Sequence, residues 1–520
     1  MDPINVINSL SNKFDKNLKI TFLGTFIFGY IVHGYILVNK LVKSDDMAYF
    51  YLSKEQYNFG AKNGRWLSFI NLLSGNLSNP WVIGFITILF ISISACIVCK
   101  CLKINTLFYN LLLGAVFIAF PAVASMLTYT FMADTFAISL FFSCFAVWIS
   151  IKYKKRFYFA VIPLVLSLAI YQAYISLTIS IYISILIFST IDKDKTFKDI
   201  IKIGLQFSAT LTASTILYII LTRYVINYKL SSYQGIADMG EIQISALPIM
   251  IQNAYKCAYQ LFMTDYLNLN FLYIKYLYSF GLFVLIAVIM ALVIKNNSYQ
   301  LIKIIFLIIL LLLFPLACNF PYLMGSPNTW VHMLMKFSNV MFFVFILKIL
   351  DLSENIRYNR KILNYTLNLS KWFLLIIVIL GIHNYYIIDN NTYLREYMAY
   401  EQGYAYSNRL ILRIEDLDSY TIDSKILFIE KPNSKFTMNS EFSGTNSINI
   451  YGYDILTMDY YKNFLKYFMG FPNSFVSLST AKKTAPDIEK EITKMPLYPS
   501  QGSIQMIEDI IVVKFREPSK

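Results

Sequence analysis

The chain has 520 residues, 57% of them hydrophobic and 15% charged, and its formal net charge is +14. That composition excludes an ordinary water-soluble enzyme and describes a chain whose solvent is mostly lipid. The basic excess follows the loops between apolar runs, so it reports membrane topology, and no nucleic-acid partner is expected.

In chain order, apolar runs near 20–42, 81–99, 106–126, 131–151, 157–171, 174–190, 203–222, 271–294, 301–318, 331–349 and 371–388 each suit a hydrocarbon core of roughly 30 Å. About eleven transmembrane helices are therefore expected, a mainly α, polytopic architecture. The fifth and sixth runs form one stretch broken at Tyr171-Gln172-Ala173-Tyr174, which reads as a short hairpin. Lys13, Lys16 and Lys19 precede the first run, which is too long for a secretory signal and lacks a small-x-small cleavage site, so it reads as a retained helix.

Orientation comes from Lys and Arg in the short loops. Lys100 and Lys103, then Lys152, Lys154, Lys155 and Arg156, then Lys193, Lys195, Lys198 and Lys202, then Lys295 and Lys303, then Arg357, Arg360 and Lys361 all fall on one side. The opposite loops near 127–130, 171–174 and 319–330 contain neither residue. The N-terminus is thus expected in the cytoplasm and the tail outside. The domain division that follows is a transmembrane part, 1–388, with outer loops 43–80, 223–270 and 319–330, and an extracytoplasmic α/β domain, 389–520. The tail is expected to hold a helical stretch near 392–419, a strand at Ile426–Ile429, a helix near 457–469 and a last strand at Asp509–Val513, and to cap the outer face.

The first outer loop carries Asp45 and Asp46 just past the first run, where lipid gives way to water, then Asn63-Gly64-Arg65-Trp66. Leu67, Phe69, Ile70, Leu72 and Leu73 follow at spacings that suit a helix lying on the membrane surface. The loop 319–330, with two prolines and a glycine, cannot continue a helix and reads as a lid. Transporters place ionisable groups near the bilayer midplane, whereas these runs are nearly free of charge. Their polar exceptions are His33, His332, His383, Lys336 and Asp134, with His332 and Lys336 one helical turn apart on one face.

These residue types in this placement suit sugar transfer. An Asp can take the proton of a hydroxyl attacking a sugar C1, and Arg65 or Lys336 can neutralise a departing lipid phosphate. Adjacent side chains point apart, so Asp45 and Asp46 are expected to divide the roles of base and orienting or metal-binding group. Trp66 is either an interfacial aromatic or a sugar platform, Gln172 either a helix-helix contact or a substrate contact, and Asp134 either a helix-end charge or a second acid. With three histidines far apart, a His-based metal cluster is not expected, while carboxylate-held Mg2+ or Mn2+ stays open. Cys96-x-x-Cys99 reads as packing rather than a metal or redox site.

Asp45-Asp46, Asn63-Gly64-Arg65-Trp66 and Tyr171-Gln172-Ala173 together resemble the GtrII-type membrane glucosyltransferases, of the GT-C class, loosely over about 20–390. The resemblance implies a GT-C-like fold in a bacterial plasma membrane, a polyprenyl-phosphate glucose donor, a surface glycan or lipid-linked saccharide acceptor, and inversion at C1. It maps the catalytic Asp onto Asp45 or Asp46 and a second acid onto Asp134, leaving Arg65, Trp66, Gln172, His332 and Lys336 for substrate. The alternatives are a flippase or transporter of lipid-linked sugars, which gives no role to an outer acidic pair, and a polysaccharide polymerase or ligase, expected to rely on arginines in large outer loops.

Overall fold

The computed structural model describes residues 15–39, 41, 44–48, 54–68, 75, 79–225, 231, 244–264, 274–296, 300–325, 327, 331–354, 356, 358–359, 361–432, 455–457 and 460–518. The chain divides into two compact units. Residues 1–38 and 52–390 form the first, and residues 39–51 and 391–520 form the second.

The first unit is helical. It opens with α1 (Lys16–Val38); the short α2 (Ser44–Ala48) that follows belongs to the second unit. Next come α3 (Lys54–Lys62), α4 (Pro80–Leu102), α5 (Leu107–Ala119), α6 (Pro121–Leu127), α7 (Ala133–Lys152), α8 (Val161–Ile170), α9 (Ile175–Ile191) and α10 (Phe197–Ile220). Then follow α11 (Leu247–Met263), α12 (Ile274–Lys295), α13 (Leu301–Cys318), α14 (Met341–Ser353) and α15 (Lys361–Glu415). Nine helices among the described residues are long and apolar enough to cross a membrane, or ten if the bent pair α5–α6 is one span. This is a mainly α, polytopic membrane protein.

The bend of 45° has a local cause: Phe120 is extended and Pro121 starts α6, so α5 cannot continue through it. The expected span at 157–171 is the ten-residue α8, preceded by a 3-10 segment at Lys154–Ala160 and too short by itself to cross. At the other end, the expected break between the last span and a tail helix is absent. No proline interrupts residues 361–415, and α15 runs through as one helix.

Several buried serine and threonine hydroxyls in this unit bond to other protein groups, as a lipid setting demands. Thr25, Thr87 and Ser92 each donate to the carbonyl four residues earlier. Between helices, Ser139 and Ser167 exchange bonds of 2.9 Å, and Ser143 lies 2.7 Å from Thr178. Close approach of α1 to α5 depends on Gly114, where an added Cβ would fall 1.9 Å from Thr25 Oγ1. Asp351 ties a loop among the expected inner ones: its Oδ1 accepts from Asn105 N, Thr106 N and Thr106 Oγ1, and its Oδ2 lies 3.0 Å from Lys348 Nζ. Phe283, Ile286, Met290 and Ile294 on α12, with Ile305, Ile308 and Leu312 on α13, face outward, the pattern of surfaces solvated by lipid.

The second unit is a small α/β layer structure. Its sheet has the order β2-β1-β4-β3, from β1 (Lys425–Ile429), β2 (Phe475–Val476), β3 (Ile504–Ile507) and β4 (Ile510–Lys514). β1 runs parallel to β2 and β4, while β3 is antiparallel to β4. Alternation along β4 fills two cores. Ile511 and Val513 meet Leu410 and Ile414 of α15 and Phe464 of α16 (Tyr461–Tyr467). Ile510 and Val512 meet Ala481 of α17 (Leu478–Thr484) and Ile488 and Ile492 of α18 (Ile488–Lys494). Helices on both faces explain why β4 reads as an unbroken apolar run. The expected strands at Ile426–Ile429 and Asp509–Val513 are β1 and β4, to within a residue.

Candidate functional site

The sequence Asn63-Gly64-Arg65-Trp66 folds as the stop of α3. Gly64 takes φ +73°, its N–H bonds to Ala61 O at 2.9 Å and the Arg65 N–H bonds to Gly60 O at 2.9 Å. That pair of bonds with a left-handed glycine is a Schellman turn, which only glycine enters without strain. The turn is pinned from two directions. Gln172, buried in the hairpin between α8 and α9, donates through Nε2 to Asn63 O (2.8 Å) and to Tyr218 Oη (3.0 Å), and Tyr218 Oη donates to Gly64 O (3.1 Å). A Cβ on Gly64 would sit 2.3 Å from Tyr218 Oη and 2.7 Å from Gln172 Nε2. Gln172 therefore meets the backbone of the Asn63-Gly64 turn, a structural contact that fixes the direction in which Arg65 leaves it.

Arg65 sits over the Tyr171 ring, its Cζ 4.6 Å from the ring centre. Phe136 and Tyr174 flank that ring with centroids at 4.7 and 5.2 Å. Arg65 Nε is buried with no hydrogen-bond partner, and no carboxylate pairs with Arg65 among the described residues. The fully buried Tyr174 likewise has no partner there for its hydroxyl. Trp66 points its indole N–H at Thr222 Oγ1, 3.0 Å away on a π-turn after α10, so its polar edge is spent on the fold. The result is a fixed guanidinium in an aromatic setting. A guanidinium can meet two oxygens of an anion at once, and no such partner lies beside Arg65 among the described residues.

Asp134 occupies the first turn of α7 and is fully buried. Its Oδ1 accepts from Thr135 N (2.7 Å) and Thr135 Oγ1 (3.3 Å), a placement the helix N-terminus favours. Two residues on, the same helix supplies Phe136 to Tyr171. The His332–Lys336 pair departs from expectation. Met333–Val340 is a 3-10 segment with His332 as its N-cap, and at about three residues per turn a spacing of four rotates by about 120° instead of aligning. Lys336 is buried and His332 half-buried. This segment joins the hairpin through Ser176 and Ser338, whose hydroxyls are 2.5 Å apart. It also holds the start of the expected lid through the reciprocal Asn319–Asn339 amide pair at 3.0 Å.

Asp45 and Asp46 lie in the second unit, on α2, with Asp45 exposed and Asp46 2% exposed. Their divergence matches what adjacent positions require. Phe69, Ile70, Leu72 and Leu73 of the expected surface helix lie outside the described residues. Among the described residues no group of three or more His, Cys, Asp or Glu is disposed to hold a metal ion. Cys96 donates to Leu18 O, and Cys99 and Cys101 are buried in α4.

Sequence reasoning passed over two neighbours of Arg65 and one buried acid elsewhere. Tyr218 is 154 residues from the carbonyl it binds, and nothing local to it reveals that. Tyr174 is one tyrosine among forty. Asp389 follows the last apolar run directly, in Asp389-Asn390-Asn391. It is fully buried, with neither carboxylate oxygen hydrogen-bonded among the described residues. An acid at the end of an apolar run was the available signal.

Nine or ten membrane-length helices among the described residues define a multi-pass membrane protein. The chain belongs to the glucosyl transferase GtrII family, whose model matches residues 34–349, and it is accordingly a membrane glycosyltransferase acting on sugar substrates. No curated protein and no solved structure matches it.

Proposed function

We propose that the protein moves glucose from a polyprenyl phosphate to a cell-surface glycan at the outer face of a bacterial plasma membrane, with inversion at C1 in the manner of the GT-C class. The observation that carries this reading is Arg65: a guanidinium held at a Schellman turn, over the Tyr171 ring and with no carboxylate partner among the described residues. The phosphate of a lipid-linked donor is the anion it would serve. The alternation of Lys and Arg among the loops supports a cytoplasmic N-terminus and an outer site.

In the reaction, an acceptor hydroxyl attacks C1 and gives its proton to a carboxylate. The C1–O bond to phosphate breaks, and polyprenyl phosphate leaves with the electron pair while Arg65 neutralises its charge. The exposure of Asp45 supports it as the base, because a base must reach solvent-borne acceptor. Asp46, buried beside it, would orient that acceptor or its partner carboxylate. Asp134, Trp66, Gln172, His332 and Lys336 stay in the proposal as substrate-side groups, Gln172 through its hold on the turn. Membership of a glucosyltransferase family favours transfer over a flippase.

The test uses membranes from cells producing each full-length variant and radiolabelled polyprenyl-phosphate glucose as probe. Asp45→Asn should lower glucose transfer to surface glycan by about 100-fold or more at normal protein level. Wild-type transfer by both Asp45→Asn and Asp46→Asn would end the proposal.

A further inference from the structure

We infer that the C-terminal α/β unit positions the acidic segment of the first loop by gripping Met47, so that the tail is a working part of the transferase and more than a cover. This inference rests on the reading of Asp45 and Asp46 as the acidic pair. Except for 39–51, the unit lies beyond the residues that the family model matches, so membership assigns it no role.

α2 has five residues, far fewer than a helix needs to persist on its own propensity. Something outside the segment must hold it, and the second unit does so at Met47. Met47 is 1% exposed and belongs to the core formed by Tyr406, Leu410, Ile455, Phe464 and Ile511. Asn463, one residue before Phe464 on α16, donates through Nδ2 to Met47 O at 3.1 Å. That carbonyl lies in the last turn of α2, where backbone carbonyls need partners from outside the helix. A side chain sunk in a core and a backbone carbonyl held from the same helix fix both the place and the rotation of α2.

Rotation is what matters for the neighbours. Once Met47 points into the core, the directions of positions 45 and 46 are set, Asp46 turned inward and Asp45 left exposed. Met47 and Asn463 touch no substrate in this scheme and are positioning residues. Displacing a reacting group by about 1 Å can cost on the order of 100-fold in rate, so loosening the grip should act on turnover.

The experiment compares full-length wild-type protein with Met47→Ala, Asn463→Ala, Met47→Leu, Asp45→Asn and Asp46→Asn, all reconstituted in nanodiscs. Turnover and KM for polyprenyl-phosphate glucose are measured with an acceptor-bearing membrane extract, and hydrogen exchange is followed in the peptide containing residues 44–48. Met47→Ala and Asn463→Ala should each lower kcat by about tenfold or more, with donor KM within about twofold, and should speed exchange in 44–48 while the sheet peptides stay protected. Met47→Leu, which refills the core, should stay within about threefold of wild type. Asn463→Ala removes one hydrogen bond and little volume, so it decides the matter even where Met47→Ala fails to fold. Inactive Asp45→Asn or Asp46→Asn together with wild-type turnover in Met47→Ala and Asn463→Ala overturns the grip alone. Wild-type turnover in both Asp variants overturns the acidic-pair reading and this inference with it.

Discussion

Arg65 is the side chain on which the proposed donor contact rests. It sits over the Tyr171 ring, and a planar fork can meet two phosphate oxygens at once, which an ammonium cannot. Arg65→Ala should therefore reduce transfer from polyprenyl-phosphate glucose by about 100-fold, a loss of roughly 3 kcal/mol of transition-state stabilisation. Arg65→Lys should recover about tenfold or less of that, measured as kcat/KM in membranes of matched protein content. Asp389 makes the opposite case. A fully buried carboxylate with no hydrogen bond among the described residues lowers stability, and its replacement by a neutral isostere removes that penalty. Asp389→Asn should raise the thermal unfolding midpoint of the purified protein by a few degrees, equivalent to about 1–3 kcal/mol. At this scale the sequence was readable where a local signal marks a turn, as the glycine of Asn63-Gly64-Arg65-Trp66 does. It was unreadable where a partner arrives from far away, as Tyr218 does.

Among the elements, the Schellman turn after α3 carries the proposed donor contact, because it converts a helix end into a bracket for Arg65. Gly64→Ala would force a side chain into a left-handed conformation and against Tyr218 Oη and Gln172 Nε2. The expected cost is about 1–3 kcal/mol of stability, together with weaker donor binding as the turn shifts, read as a raised KM for polyprenyl-phosphate glucose. The long spans were legible because a run of some twenty apolar residues has few other fates. The finer elements were not, and for a physical reason. An apolar stretch does not distinguish a turn of 3.0 residues from one of 3.6, so Met333–Val340 reads as plain helix until its coordinates are seen, and with it the false alignment of His332 and Lys336. β2 is two residues long and β3 carries Gln505 among its apolar residues, so neither produces a strand pattern that stands out.

For the molecule as a whole, the sequence leads one to expect about eleven crossings, where nine or ten helices among the described residues are long and apolar enough, and it says nothing of the allegiance of its segments. Nothing within residues 39–51 announces that they pack with a domain more than 340 positions later, since the partner of Met47 is a core assembled from α15, α16 and the sheet. Sidedness is the property on which outer-surface chemistry depends, and it rests on the cost of moving positive charge across the bilayer. It can be measured directly. Lys193, between α9 and α10, and Glu489, on α18, are both exposed, and the native cysteines are buried or half-buried, which leaves little background for a thiol probe. With the six native cysteines replaced, an impermeant maleimide added to intact cells should label Glu489→Cys and leave Lys193→Cys unlabelled until the cells are opened. The reverse pattern would put the α/β unit, and α2 packed within it, on the cytosolic side. A carboxylate there faces no surface glycan, so transfer at the outer face would have to be abandoned whatever the Asp45 variants had shown.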